Sequence, residues 1–286
     1  MKTLSMEKAC ALRPTRQNFL LPAGAEENEI LTRRPYVKAG TMGLGTGTGA
    51  FTCVLTNDFY LGVFSLTQFQ SKWLNMTGSN MRDQGCAFTN ATCRMTRPAD
   101  SLKYAAIRGN YFDSSNAATE IPNGGVLKKL NDRTGLVFDM PTEWQWEYAC
   151  RAGSDSEVYE SAEFRHSGNS KPTSDYEWYS EQGMWDARYG TSYVDEYSPN
   201  PWGFYGMLGN VREICRNYKQ TITACERLVE PQGDASSDRR QRGRGGSWNQ
   251  SSDNANATNV DAVDPWNRTY YGWGVRLCLT IKKTAE

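Results

Sequence analysis

The sequence predicts a loop-rich α+β fold of short helices and short strands, and three observations point to it. Apolar residues alternate over Phe51–Leu55 and Phe59–Phe64, on either side of Thr56-Asn57-Asp58, as in two strands. Helix start and stop signals recur at three places, each close to the next stop. The 286 residues include 26 Gly and 11 Pro, which interrupt anything longer. The chain is long enough for one globular unit with a real core. Only 38% of it is hydrophobic, but 9 Trp and 15 Tyr are present, so that core has to be built from rings more than from aliphatic side chains.

Residues 1–48 are mixed in character and end in the glycine run Gly40–Gly49, which lacks the Gly-Lys-Ser/Thr ending of a phosphate loop. They read as a flexible N-terminal arm or extension, with residues 49–286 as the domain. After the two strands, Thr67 and Gln70 have the spacing of a capping box, Phe69, Trp73 and Met76 share a face, and Gly78 stops the helix. A weaker pattern, Val126, Leu127 and Leu130, ends at Gly135. The clearest helix follows Pro141, with Thr142 and Gln145 as capping box, Trp144 and Tyr148 one turn apart, and Gly153 beyond its end. From about 154 to 199 the chain is polar and Tyr-rich, which reads as long loops.

Charge excludes some function classes. Lys plus Arg and Asp plus Glu number 32 each, so no net field steers the protein toward nucleic acid or an anionic membrane. The basic run Arg239, Arg240, Arg242, Arg244 lies next to Asp234 and Asp238 and reads as a solvated loop. Eight cysteines occur without a CxxC pair, which argues against a zinc or iron–sulfur centre. Cys86 with Cys93, or Cys215 with Cys225, would close small loops. No signal peptide or membrane span is evident, so most thiols are expected to be reduced and buried. The lone His166, with no ligand partner at metal spacing, reads as a surface residue.

Three blocks in order carry a family resemblance: Phe138–Ala149, Asn200–Glu213 and Arg244-Gly245-Gly246-Ser247-Trp248, with Gly274-Val275-Arg276 closing the set. With Phe59–Gln68 and the run from Arg97-Pro98 to Ile107-Arg108-Gly109, they resemble the formylglycine-generating (sulfatase-modifying factor) enzyme family over about residues 50 to 280. The resemblance implies a C-type-lectin-like fold with short helices and small antiparallel sheets. It also implies, for the oxidase, two copper-binding cysteines shortly after Gly-Gly-Ser, where soft thiolates suit Cu(I). The aligned positions here are Gln250 and Ala255, so the catalytic set is expected to be absent. One histidine is too few for the iron site of the sulfoxide-synthase relatives. A calcium site is implied at Gly209, Val211 and Glu213, against which stands Gly206 in place of the usual Asn or Asp. The other reading of Glu213 is structural, hydrogen-bonded to backbone.

Between Trp248 and Gly274 the chain is rich in Asn, Asp, Ser, Thr and Tyr, side chains that combine adaptable hydrogen bonding with rigid aromatic anchors. Polar residues populate any loop, but position shifts the balance. The segment is similar to the mutagenised stretch of the variable proteins of diversity-generating retroelements. Asn249, Ser251, Asp253, Asn254, Asn256, Thr258, Asn259, Asp261, Val263, Asp264, Asn267, Thr269, Tyr270 and Tyr271 are the candidate variable contacts, with Trp266, Tyr270 and Tyr271 as anchors. Trp266 is set equally against core packing beside Trp248 and Trp273. Gln250, Pro265, Trp266, Gly272 and Trp273 read mostly as scaffold, and Val260 replaces an arginine common there.

The expected function is therefore non-enzymatic binding of a surface protein or glycan, on a phage virion or in the bacterial cytoplasm as encoded. Nucleic-acid binding and membrane insertion are not expected, and the N-terminal arm is a candidate for homo-oligomer contacts. The alternatives are a family enzyme with altered oxidase-type chemistry and a structural assembly subunit.

Overall fold

The computed structural model describes residues 36–45, 50–74, 97–109, 121, 123–159, 191, 193–195, 198–218, 222, 226–231, 240–248, 250, 254–263 and 272–281. Four short helices lie among the described residues: α1 (Gln68–Trp73), α2 (Tyr104–Arg108), α3 (Val126–Thr134) and α4 (Glu143–Arg151). Both predicted capping boxes form. Thr67 Oγ1 accepts from Gln70 N while Gln70 Oε1 accepts from Thr67 N, and Thr142 and Gln145 make the same reciprocal pair at α4. Gly135 closes α3 in the left-handed conformation, as its position predicts. At α4 the left-handed cap is Ala152, and Gly153 beyond the helix end also has a positive φ (+88°).

Among the described residues, ten strands make three small sheets. The first orders β1 (Tyr36–Val37), β4 (Phe59–Leu61) and β10 (Cys278–Thr280), so strands from the two ends of the described chain flank the same partner. The second orders β2 (Thr41–Leu44), β3 (Phe51–Val54) and β6 (Arg227–Val229). The third orders β8 (Val260–Val263), β7 (Gln241–Arg244), β5 (Arg212–Tyr218) and β9 (Trp273–Gly274). Pairing is antiparallel except between β3 and β6 and between β5 and β9. The expected strands at 51–55 and 59–64 exist, but each pairs elsewhere and they lie in different sheets.

The expected boundary at residue 48 has to move. Tyr36 pairs with Tyr60 and Val37 with Phe59, and Thr41–Leu44 run antiparallel to Phe51–Val54. Residues 36–45 are therefore part of the domain, because backbone pairing satisfies groups that a free arm would leave to water.

Two apolar cores lie on either side of β5. Cys215 faces one, with Phe51, Phe59, Trp144, Trp146 and Phe204; Ile214 faces the other, with Tyr104, Leu127, Leu130, Trp273 and Val275. Successive residues of a strand point to opposite faces, so this one strand supplies both cores. Helix α4 packs on β2, β5 and β7. All its residues but Tyr148 are buried, including Glu143 and Glu147.

Candidate ligand-binding surface

Each end of the 249–273 segment is held by backbone that only glycine fits. Gly245 (φ +92°) and Gly246 (φ +74°) follow β7 directly, and a Cβ on Gly245 would meet the Trp146 ring at 2.9 Å and the Met207 carbonyl. Gly243 lies flat against the Trp273 ring, in space that a Cβ would have to share. Trp248 N donates to Asn210 O at 2.9 Å, and Arg212 N to Gly272 O at 2.7 Å. These flanks form buried strand ends, as the paired glycines predict.

The alternation of β7 sends Arg242 and Arg244 toward α4. Arg244 is buried between Glu143 (3.0 Å) and Glu147 (3.2 Å), and Arg242 approaches Glu143 at 3.6 Å. Burial alone would lower the Arg244 pKa, but the two glutamates outweigh it and hold the guanidinium above its ordinary value. The solvated-loop reading of the basic run is thus corrected at both positions. The acidic partners come from a helix about a hundred residues away in sequence, which no local charge pattern reveals. Arg244 Nη1 then donates to the carbonyls of Ala257 (3.0 Å) and Thr258 (3.2 Å), fixing the path of the segment through its backbone.

Arg212 reaches the other face. Its Nε and Nη2 donate to Gln250 Oε1 at 3.2 and 2.8 Å, Nη2 to Asn259 Oδ1 at 2.7 Å, and Nη1 to Gly243 O at 3.1 Å. The guanidinium lies over the Trp273 ring, 5.5 Å from its centroid. Burial pushes its pKa down to about 10, a fall that Asp261 partly offsets and Arg244 deepens.

Of the candidate contacts, Asn254, Asn256, Thr258 and Asn259 are half-buried and bonded inward. Asn256 Oδ1 accepts from Thr258 N and Oγ1 and from Asn259 N, and Asn259 Nδ2 donates to Asn254 Oδ1. Ala255 and Ala257 between them are buried. Asp261 is exposed on β8, an edge strand, beside exposed Val260. Val263 ends β8, and its side chain is outside the described residues. Asn249, Ser251, Asp253, Asp264, Trp266, Asn267, Thr269, Tyr270 and Tyr271 also lie outside them, as does His166.

Neither family metal fits these residues. Gln250, at one copper position, gives its side-chain oxygen to Arg212 and Ser247, and Ala255, at the other, has no donor atom. At the calcium position, Glu213 Oε1 accepts from Ser65 Oγ (2.5 Å) and Arg276 Nη2 (2.8 Å), and Oε2 from Trp146 Nε1 (2.6 Å) and Arg276 Nε (2.9 Å). A cation there would have to displace the guanidinium. The partners of the Glu213 carboxylate are side chains, where the structural reading expected backbone.

Cys53, Cys150, Cys215 and Cys278 are buried and outside any disulfide, so Cys215 does not close a loop with Cys225. Burial pushes the Cys53 and Cys278 thiols up to about 12, and Cys215 well above its ordinary value. Since the thiolate is the nucleophile, these three are expected to resist a thiol reagent at pH 8 in the folded protein and to react after denaturation, as mapped by peptide mass spectrometry. Native labelling of Cys215 at the rate of an exposed thiol would contradict this burial.

Small sheets, short helices and glycine-bounded polar loops together define a C-type-lectin-like fold of the formylglycine-generating type. The chain belongs to the sulfatase-modifying factor enzyme 1-like domain family, which it matches over residues 22–281. Among solved structures it is similar to Treponema denticola variable protein 1, with a TM-score of 0.66 and 20% identity, covering 85% of this chain and 93% of that one. PvdO from Pseudomonas aeruginosa gives a TM-score of 0.59 at 18% identity, over 86% and 93% of the two chains. In sequence the chain is 27% identical over 192 residues to the chaperone protein LppX of Paenibacillus barcinonensis, covering 57% of this chain and 63% of that protein. It is 29% identical over 116 residues to the formylglycine-generating enzyme of Mus musculus, covering 38% of this chain and 30% of the enzyme. It therefore spans under two thirds of the length of these relatives. No helix among the described residues is long and apolar enough to cross a membrane.

Proposed function

We propose that the protein is a non-enzymatic ligand binder whose 249–273 segment is the contact surface, diversified in the manner of retroelement variable proteins. One observation carries the reading: a polar segment is anchored at both ends on glycine-bound strand termini and along its path by Arg244, which holds the Ala257 and Thr258 carbonyls rather than their side chains. Backbone anchoring tolerates a change of side chain. The likeness to Treponema denticola variable protein 1 supports this reading, as do Gln250 and Ala255 at the copper positions. The ligand is a surface protein or glycan, met by Asp261 and, among residues outside the described set, by Trp266, Tyr270 and Tyr271 as anchors.

Sequencing the 3′ end of the gene across a population of its source is the test. Substitutions gathered in codons 249–273, with 244–248 and 274–277 fixed, are the expected result. A uniform sequence there would remove the case for diversification. The identity to a formylglycine-generating enzyme favours one other reading, an enzyme with altered oxidase chemistry. Copper-dependent oxygen consumption with a cysteine-bearing peptide, lost on mutating Cys215 or Cys278, would establish it instead.

A further inference from the structure

Four other buried arginines sit within 3.0 Å of a carboxylate: Arg108 with Asp139, Arg151 with Glu147, Arg244 with Glu143 and Arg276 with Glu213. Arg212 is just as buried, yet its hydrogen-bond acceptors are the neutral oxygens of Gln250, Asn259 and Gly243. A buried cation without an anion keeps most of its desolvation cost, so each neutral acceptor around it matters more than an ordinary hydrogen bond. The segment itself supplies Gln250 and Asn259, and of the two only Asn259 is a candidate contact. It is also the joint of the loop, since its N–H closes the turn on Asn256 Oδ1 at 2.6 Å and its amide donates to Asn254 at 3.0 Å.

The geometry points to a division of labour within the segment: Asn259 is a positioning residue whose identity Arg212 restricts to an oxygen acceptor, and Val260 and Asp261, the next two residues, are the described positions left to the ligand. This deepens the binding reading above and rests on it for the role of 260 and 261. Asn254 and Asn256 belong with Asn259, because their side-chain oxygens are spent inside the loop. Val260 and Asp261 are exposed on the outer edge of the sheet, across from Arg244 and Gly243. Asp261 shares the Gly243 face, where its charge acts on Arg212 without contact, so changes there alter the surface and leave the clamp in place.

Thermal denaturation of single variants needs no ligand and tests the division by itself. Asn259→Ala is expected to lower Tm by roughly 4 °C or more, while Asp261→Ser stays within about 2 °C of the parent. Asn259→Asp separates a charge-specific role from a merely structural one. It supplies the carboxylate that Arg212 lacks, and a turn of the Asn254 amide replaces the donor lost from Asn259 Nδ2, so Tm should equal or exceed the parent's at pH 7. A carboxylate held by Arg212 has its folded pKa depressed, so that gain is present above the unfolded pKa and is lost as pH falls through the folded one. Equal melting of Asn259→Ala and Asp261→Ser, or Asn259→Asp melting as low as Asn259→Ala, would overturn the assignment. If these results hold and the population shows no diversification, the clamp stands and the binding reading is what fails.

Discussion

Arg276→Met is expected to lower stability by about 3–5 kcal/mol, read as a fall in Tm of roughly 10 °C or as outright loss of soluble protein. The guanidinium is fully buried and makes a two-pronged contact with Glu213. It also donates to the carbonyls of Gly62 (2.8 Å), Val63 (2.7 Å) and Tyr205 (2.6 Å), so one side chain joins β5 to two loops from distant parts of the chain. Its removal leaves a buried carboxylate with only Ser65 and Trp146 as donors, besides the carbonyls of Gly62, Val63, Tyr205 and Gly206, which lose a partner. The double variant Arg276→Met/Glu213→Gln removes both charges and should recover part of the loss, because Ser65 and Trp146 can still donate to the amide oxygen. A single variant as stable as the parent would mean that the pair is not buried as described.

Gly245→Ala is the second change expected to be severe, at about 2–5 kcal/mol from overpacking together with a left-handed backbone. The methyl group would enter space held by the Met207 carbonyl and the Trp146 ring. Neither can give way easily, since Trp146 is fixed by its bond to Glu213. Gly43→Ala is the control: nothing lies within 4 Å of its Cβ, and it sits in a strand. Denaturant unfolding of the two variants should separate them clearly, with Gly43→Ala close to the parent. The displacement at residue 245 also bears on the proposed function, because Gly245 O accepts from Gly209 N at 2.6 Å and the proposed contact segment begins four residues later. Comparable stability of the two alanine variants would count against the close packing of the Arg-Gly-Gly-Ser-Trp turn.

Much of the fold is legible from local chemistry. A capping box needs only a hydroxyl and an amide three residues apart, so Thr67 with Gln70 and Thr142 with Gln145 mark helix starts without help from the rest of the chain. Glycine pairs beside Arg244 and Val275 mark close backbone approach for the same reason. Strand β5 is different. Arg-Glu-Ile-Cys-Arg-Asn-Tyr shows no apolar alternation, although it is buried almost throughout, because its charged and amide side chains are met by partners from elsewhere: Glu213 by Arg276, Arg212 by Gln250 and Asn259, Arg216 by Asp139, and Asn217 by Glu143. Helix α2, five residues long, is too short to leave a periodic signal.

The candidate site shows the same split. Composition and position single out 249–273 as a polar segment between fixed ends, but they treat Asn254, Asn256, Asn259 and Asp261 alike, as polar residues of one loop. Which of them faces inward depends on Arg212, thirty-eight residues before Gln250 in the chain and brought to it by the pairing of β5 with β7 and β9.

By itself, then, the sequence determined the helix caps, the glycine turns, the family and the limits of the polar segment, because each depends on neighbours a few residues apart or on ordered blocks that can be read directly. The tertiary structure alone decided that residues 36–45 belong to the sheets, that Arg244 is buried and Arg242 half-buried against Glu143 rather than solvated, and that Asn259 faces inward while Asp261 faces out. The physical reason is common to all three. A lone charge or an unpaired strand has a high free energy when buried, and only the folded chain brings its partner within about 3 Å.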